Sequence, residues 1–165
     1  MVRAATVKDI DIIYELAHVI WPQTYQPILK GAQIDYMLGL MYSKETLKEL
    51  IESGGQDFFI AFEDEKPIGF MSISVKAERP VKIFKLNKLY LLPDTQGKGY
   101  GKIMVDFING YIKALGAKIL ELNVNRKNKA LAFYQRLGFN IYKEEDIPIG
   151  EDYLMEDFVM RKKVI

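Results

Sequence analysis

The stretch Gln96-Gly97-Lys98-Gly99-Tyr100-Gly101-Lys102 holds the residues whose spacing says most about chemistry. Three alternating glycines let a backbone approach a ligand without Cβ clashes and turn successive N–H groups inward. The stretch opens onto a helix-periodic segment, and a helix N-terminus favours an anion through its free amides and its dipole. Lys98 and Lys102 add positive charge. Together these features suit a pyrophosphate. A P-loop needs Gly, four residues, then Gly-Lys-Ser/Thr, and no such string occurs. A dinucleotide fingerprint would put its third glycine at Lys102, and Pro93-Asp94-Thr95-Gln96 separate the strand from the loop. What remains is Gln-x-x-Gly-x-Gly, matched by Gln96, Gly99 and Gly101. Taken alone, the loop also admits a purely structural strand–helix connection.

Other chemistry is bounded by composition. The 165 residues include no cysteine and one histidine, which excludes disulfides, a cysteine acyl-enzyme and a multi-histidine metal site. The net charge of +1 gives no basis for binding nucleic acid or an anionic membrane. The start has no signal-peptide pattern, and no apolar run approaches the ~18 residues of a membrane span, so the default expectation is a cytoplasmic protein.

The positioning elements read as one domain over residues 1–165, with no repeat or linker-like shift. Val2 to Ala5 reads as a strand. Thr6 and Asp9 resemble a capping arrangement for a helix with Ile10, Ile13, Ala17 and Ile20 on one face, broken by Pro22 and Pro27. A second helix covers roughly Gln33 to Met41. Ser43 caps a third, with Leu47, Leu50 and Ile51 inward and Gly54-Gly55 as the stop. Phe58 to Phe62 and Ile68 to Val75 form a hairpin across Glu63–Pro67, and Val81 to Leu92 is the next β segment. Ile103, Met104, Phe107, Ile108, Tyr111, Ile112 and Leu115 recur at helical spacing, closed by Gly116. A strand at Lys118–Val124, a short helix at Lys129–Leu137 ended by Gly138, and strands at Phe139–Glu144 and about Tyr153–Arg161 complete an α/β protein with a mixed sheet.

At two places in the right order the chain resembles the Gcn5-related N-acetyltransferases. Leu89-Tyr90-Leu91-Leu92-Pro93 with Gln96 to Gly101 is similar to their fourth strand and pyrophosphate loop. Ala130, Phe133-Tyr134 and Leu137-Gly138-Phe139 are similar to their second signature. The resemblance implies a mostly antiparallel central sheet with helices on both faces and splayed fourth and fifth strands. It implies acetyl-coenzyme A as co-substrate, no metal, and transfer of the acetyl group to a primary amine by direct attack. The pantetheine arm would then bond to Leu89, Tyr90 and Leu91 like an added strand. The amides from Gln96 through Gly97, Lys98, Gly99, Tyr100 and Gly101 to Lys102 would take the pyrophosphate. Tyr134 corresponds to the family's tyrosine beside the coenzyme sulfur, and Asn128 to an asparagine that often contacts the coenzyme. The family spacing from asparagine to tyrosine is seven residues, however, and here it is six. Capping the short helix is the other reading of Asn128.

Such transfer needs a deprotonated amine, donors for the oxyanion (the backbone N–H near Leu91 is one) and a proton for the thiolate, which Tyr134 can supply as a phenol of pKa ~10. A packed core aromatic is the alternative for Tyr134. No general base stands out: His18 is a lone helical histidine, and Glu121 is a carboxylate on the fifth-strand segment. For the acceptor, Trp21 and Tyr25 border the expected helix break, as substrate aromatics or as plain packing. Glu144, Glu145, Asp146, Glu151, Asp152, Glu156 and Asp157 form an acidic field with no Lys or Arg among residues 144 to 157. That field would attract a polycation, or it is a solvated face. The overall likeness is greatest to the bacterial spermidine/spermine-type branch, which favours a small amine or polyamine acceptor. A ribosomal-type protein N-terminus, a non-catalytic acyl-coenzyme-A sensor and a dinucleotide oxidoreductase are the competing readings. A homodimer is compatible with the implied fold.

Overall fold

Arg3, Thr6 and Asp9 tie the first strand to the first helix. The Thr6 amide donates to Asp9 Oδ2 at 2.9 Å, and the Arg3 guanidinium grips both Asp9 oxygens at 2.9 Å. The resulting capping box closes a 3-10 turn, Val7–Asp9, ahead of α1. The Arg3 fork is the largest reason that the Asp9 carboxyl is held below its ordinary range.

The computed structural model describes Met1 to Ile165 and divides into two compact units. Unit 1 is Met1–Ser74 with Lys88–Phe107; unit 2 is Val75–Asn87 with Ile108–Ile165. The elements in chain order are β1 (Val2–Ala4), α1 (Ile10–Tyr25), α2 (Gly31–Tyr42), α3 (Lys44–Glu52), β2 (Asp57–Glu63), β3 (Lys66–Ala77), β4 (Ile83–Leu91), α4 (Tyr100–Ala114), β5 (Ile119–Asn125), α5 (Ala130–Arg136), β6 (Asn140–Gly150) and β7 (Tyr153–Lys163). The strands follow the order β1-β2-β3-β4-β5-β7-β6. Pairing is antiparallel for β1/β2, β2/β3, β5/β7 and β6/β7, and parallel for β4/β5.

In unit 1, α1 differs from the expected break: it runs through Pro22 to Tyr25. Proline removes one backbone donor and so one bond to the preceding turn. The Gln26 amide still donates to Pro22 O at 2.9 Å, and the buried face of Ile13, Ala17 and Ile20 continues through Trp21 to Tyr25. Burial of that face outweighs one missing bond. Ser43 Oγ caps α3 by accepting the Thr46 amide, and Leu47 is fully buried while Leu50 and Ile51 are half-buried. On α4 the apolar stripe is narrower than its periodicity suggests. Met104, Val105, Ile108 and Ile112 are buried, whereas Ile103, Tyr111 and Leu115 are exposed.

In unit 2, β4 and β5 pair only from Ile83–Leu86 to Ile119–Leu122; β4 continues to Leu91 and β5 to Asn125. On its other side β5 pairs with β7 along its whole length, from Ile119↔Lys163 to Asn125↔Asp157. The fourth and fifth strands therefore part midway, as the resemblance implied. The strand expected to stop at Glu144 extends to Gly150, and β6 and β7 form a long hairpin around Glu151 and Asp152, both at positive φ. This strand stands last in the sheet order, where charged residues are common and apolar alternation is weak, so the sequence signal faded.

Within unit 1, Gly69 of β3 lets β4 come close. A Cβ at this position would lie 2.4 Å from Tyr90 O and 2.8 Å from Leu91 Cδ2. Gly69→Ala must push that backbone away, and overpacking of this kind costs about 1–3 kcal/mol. A fall in melting temperature together with weaker coenzyme binding is the expected result of calorimetry and titration on this variant.

Candidate active site

β4 leads through Leu92 and a 3-10 turn, Pro93–Thr95, into the glycine loop. The Leu92 amide donates to Ile68 O at 2.8 Å, and Thr95 Oγ1 to Leu92 O at 2.7 Å, so the loop entrance is pinned. Gly97 and Gly99 have φ of +80° and +87°, a left-handed conformation that side chains resist. Nothing lies within 4 Å of a Cβ at either position, so it is the dihedral and not crowding that demands glycine. The first long-helix bond there is from the Ile103 amide to Gly99 O. The amides of Tyr100, Gly101 and Lys102 precede it and have no acceptor in the helix ladder. Glycine backbone and helix mouth thus coincide, as the spacing predicts.

The loop's lysines point elsewhere. Lys98 sits 3.8 Å from Glu63, and Lys102 pairs with Asp106 at 2.5 Å, all of them on the surface. The Tyr100 hydroxyl donates to Glu63 Oε1 at 2.6 Å, which chiefly holds the Glu63 carboxyl low and raises the Tyr100 phenol. Gln96 Nε2 reaches back to Leu91 O at 3.5 Å. The groups this loop offers to an anion are therefore its backbone amides more than its lysines.

Leu89 and Tyr90 are half-buried and Leu91 is buried. The Tyr90 ring packs among Trp21, Tyr42 and Phe70, and its hydroxyl is 3.1 Å from the Tyr25 hydroxyl. Trp21 and Tyr25, expected at a helix break, are instead buried on a continuous α1, 1% and 5% exposed. His18 Nδ1–H donates to Tyr14 O at 2.8 Å, and its ring stacks on Tyr14, a packed helical histidine.

In unit 2, Tyr134 is buried in α5 with its ring edge-on to Phe139, 5.6 Å between centroids. Gly138 at φ +92° ends the helix and lets the Phe139 amide return to Tyr134 O at 3.1 Å. Asn128 Oδ1 accepts the amide of Ala130, the first α5 residue, at 2.9 Å, so its side-chain oxygen does the work of a cap. Glu121 is fully buried with both oxygens engaged, one by Lys76 and the other by Arg161 Nε at 2.7 Å. Burial opposes its charge, but the two cations outweigh burial and hold its carboxyl below the ordinary range. A carboxylate so held is a poor proton acceptor. The acidic field is partly neutralised from outside its own segment. Arg126 lies within salt-bridge reach of Glu144, Asp146 and Glu156.

Two residues escaped the sequence reading. Lys88 is 5% exposed, donates to Gln56 Oε1 at 2.8 Å and lies over the Tyr42 and Phe58 rings. Asp157, read only as part of an acidic run, is likewise 5% exposed. Each stands in a strand with other charges, Lys85 in β4 and Glu156 and Arg161 in β7, so the sequence carries no mark of which charge is buried.

Against known proteins, the acetyltransferase (GNAT) domain model matches residues 54–141, more than half of the chain. The chain belongs to the GNAT acetyltransferase family. It is an acetyl-coenzyme-A-dependent N-acetyltransferase. A spermidine N(1)-acetyltransferase of Thermoplasma acidophilum is 29% identical over 167 residues, covering 98% of this chain and 96% of the relative. The PaiA N-acetyltransferase of the same organism, solved in complex with coenzyme A, superposes with a TM-score of 0.83 at 28% identity, over 99% of this chain and 98% of that one. A GCN5-related N-acetyltransferase from Rhodopseudomonas palustris shares the fold at 19% identity, with a TM-score of 0.81 over 99% and 94% of the two chains. No helix of this GNAT protein is long and apolar enough to cross a membrane. No group of three or more His, Cys, Asp or Glu stands together to hold a metal ion.

Glu121 provides a test of the strand pairing that supports this site. Glu121→Gln leaves Lys76 and Arg161 without their buried counter-charge; a fully buried pair costs about 3–5 kcal/mol to break, and the part-exposed cations reduce that to about 1–3 kcal/mol here. The wild-type carboxyl is depressed, so its contribution is present above the ordinary carboxylate range and is lost as pH falls through the lowered value. Melting temperatures of the two proteins should therefore differ strongly at neutral pH and converge on acidification below about pH 4.

Proposed function

We propose that this GNAT protein acetylates a small polyamine, with spermidine as the first candidate, and that residues 1–165 form one acetyltransferase domain. The observation that carries the acceptor is the end-to-end likeness to the Thermoplasma spermidine N(1)-acetyltransferase, which covers 98% of this chain. The exposed carboxylates of the β6–β7 hairpin, among them Glu151 and Asp152, supply a field that raises the encounter rate of a polycation.

In this reading the amides of Gln96, Gly97, Lys98, Gly99, Tyr100, Gly101 and Lys102 hold the pyrophosphate of acetyl-coenzyme A. The pantetheine arm lies along Leu89, Tyr90 and Leu91. The parting of β4 and β5 after Leu86 and Leu122 supports that placement, because an extended arm can follow a strand only where a neighbouring strand does not. The Leu91 N–H stabilises the oxyanion as the amine attacks. Tyr134 is the general acid that protonates the departing thiolate; its place in the Phe-Tyr…Gly-Phe signature supports the role. Asn128 holds α5 in place through its cap, which leaves its amide nitrogen as the group to donate to the coenzyme. Trp21 and Tyr25, buried against Tyr90, back the acceptor side from beneath, with the Tyr25 hydroxyl paired to that of Tyr90.

Thiol release from acetyl-coenzyme A with spermidine, a ribosomal-protein N-terminal peptide and an aminoglycoside tests the acceptor. Turnover is expected with spermidine, and its absence there removes the polyamine reading. Tyr134→Phe should lower kcat by roughly 10²-fold with little change in coenzyme affinity. Unchanged turnover in this variant would strip Tyr134 of the role.

A further inference from the structure

Asp157 is a buried carboxylate in unit 2 for which the reaction above has no use. It lies on β7 directly opposite Asn125 of β5 and opposite Glu145 of β6. Asn125 is the last residue of β5, beyond the point where pairing with β4 ends at Leu122. Asn123 Nδ2 donates to Asp157 Oδ2 at 3.2 Å, while Asp157 Oδ1 is buried and has no hydrogen-bond partner. An unmatched buried carboxylate oxygen costs stability, and a donor brought by a bound ligand would relieve that cost. Strand alternation sets Glu121, Asn123 and Asn125 of β5 on one face with Asp157 and Arg161 of β7, and Leu120, Leu122 and Val124 on the other. On the polar face Glu121 is fully engaged by Lys76 and Arg161. Glu145 shares that face but is only half-buried; Asp157 is the buried carboxylate there with an oxygen to spare.

The geometry points to Asp157 as the base that receives the acceptor amine. The proposal rests on the amine-acetylating reading, with the thioester lying where β4 and β5 part. A protonated amine donates to Oδ1 and passes one N–H proton to it. The freed lone pair attacks the thioester carbon, the C–N bond forms and the C–S bond breaks. The sulfur takes the proton of the general acid, and the second N–H proton lost from nitrogen replaces it. The sum is amide, thiol and one proton released from Asp157 to solvent.

The groups facing Asp157 suit this task. Burial, more than anything else, raises its carboxyl above the ordinary range, and Glu145 adds to the rise. Asn123, Lys85 of β4 and Arg126 oppose it. A base of raised pKa is a stronger proton acceptor than an exposed carboxylate.

Asp157→Asn tests the assignment in the full chain, since the amide oxygen can still accept from Asn123. Acetyl transfer is measured with spermidine and, should that not be a substrate, with an alanine-terminated peptide. The expected loss is about 10²-fold in kcat/KM near pH 7, with coenzyme affinity unchanged. As pH rises towards ~10 the free amine no longer needs a base, and the deficit should shrink to within about tenfold. The sign of the stability change separates catalysis from structure. A raised carboxyl contributes stability that is full below its unfolded pKa and is lost as pH rises through its folded pKa. The Asn variant should therefore melt no lower than wild type at neutral pH. A loss under threefold, a loss that high pH does not relieve, or a variant that melts well below wild type each overturns the proposal. Wild-type inactivity towards both amines defeats the acceptor reading instead, and the base with it.

Discussion

The parallel ladder between β4 and β5 stops after Leu86 and Leu122, although both strands run on. Buried backbone groups need partners, and a strand that leaves its neighbour must find others. β5 keeps its β7 ladder to Asn125, so it stays in the sheet after β4 has left it. The ion-paired Glu121 reinforces the last paired stretch, standing opposite both Lys85 and Arg161. One edge of each strand is thereby released from the ladder beyond Leu86 and Leu122.

Glycine sets the other constraint, twice and for different reasons. At Gly97 and Gly99 the surroundings are open, and the left-handed dihedral is what excludes other residues. At Gly69 the dihedral is ordinary, and the Tyr90 carbonyl occupies the space a Cβ would need. The first kind shapes a turn of backbone amides at the mouth of α4; the second fixes how closely β3 approaches the strand leading to it. Lysine charge, which the sequence makes conspicuous, is largely spent on Glu63 and Asp106.

The acidic C-terminal hairpin shows how one composition serves several physical ends. Glu144, Asp146 and Glu156 converge on Arg126, which lies outside the acidic segment and ties the β5–α5 connection to the hairpin. Glu151 and Asp152 sit at the turn in solvent. Asp157 is buried. A run of like charges in sequence is thus a neutralised anchor, an exposed turn and a buried acid in space.

By itself the sequence determined the order and type of the elements, the glycine turn at the mouth of α4 and the family, because these depend on local spacing. Glycines at fixed offsets, a helix period and a capping box are written within a few residues of one another. It misjudged Pro22, since the burial of Trp21 and Tyr25 that carries α1 through proline comes from residues distant in the chain. It ended β6 early, because pairing with β7, and not apolar alternation, holds that strand. It grouped Asp157 with the acidic run and left the general base open, with Glu121 as one candidate. Burial, the Lys76–Glu121–Arg161 network and the spare oxygen of Asp157 exist only after β5 and β7 are paired, and tertiary structure alone decides them, since desolvation and long-range charge contacts leave no periodic trace in a sequence.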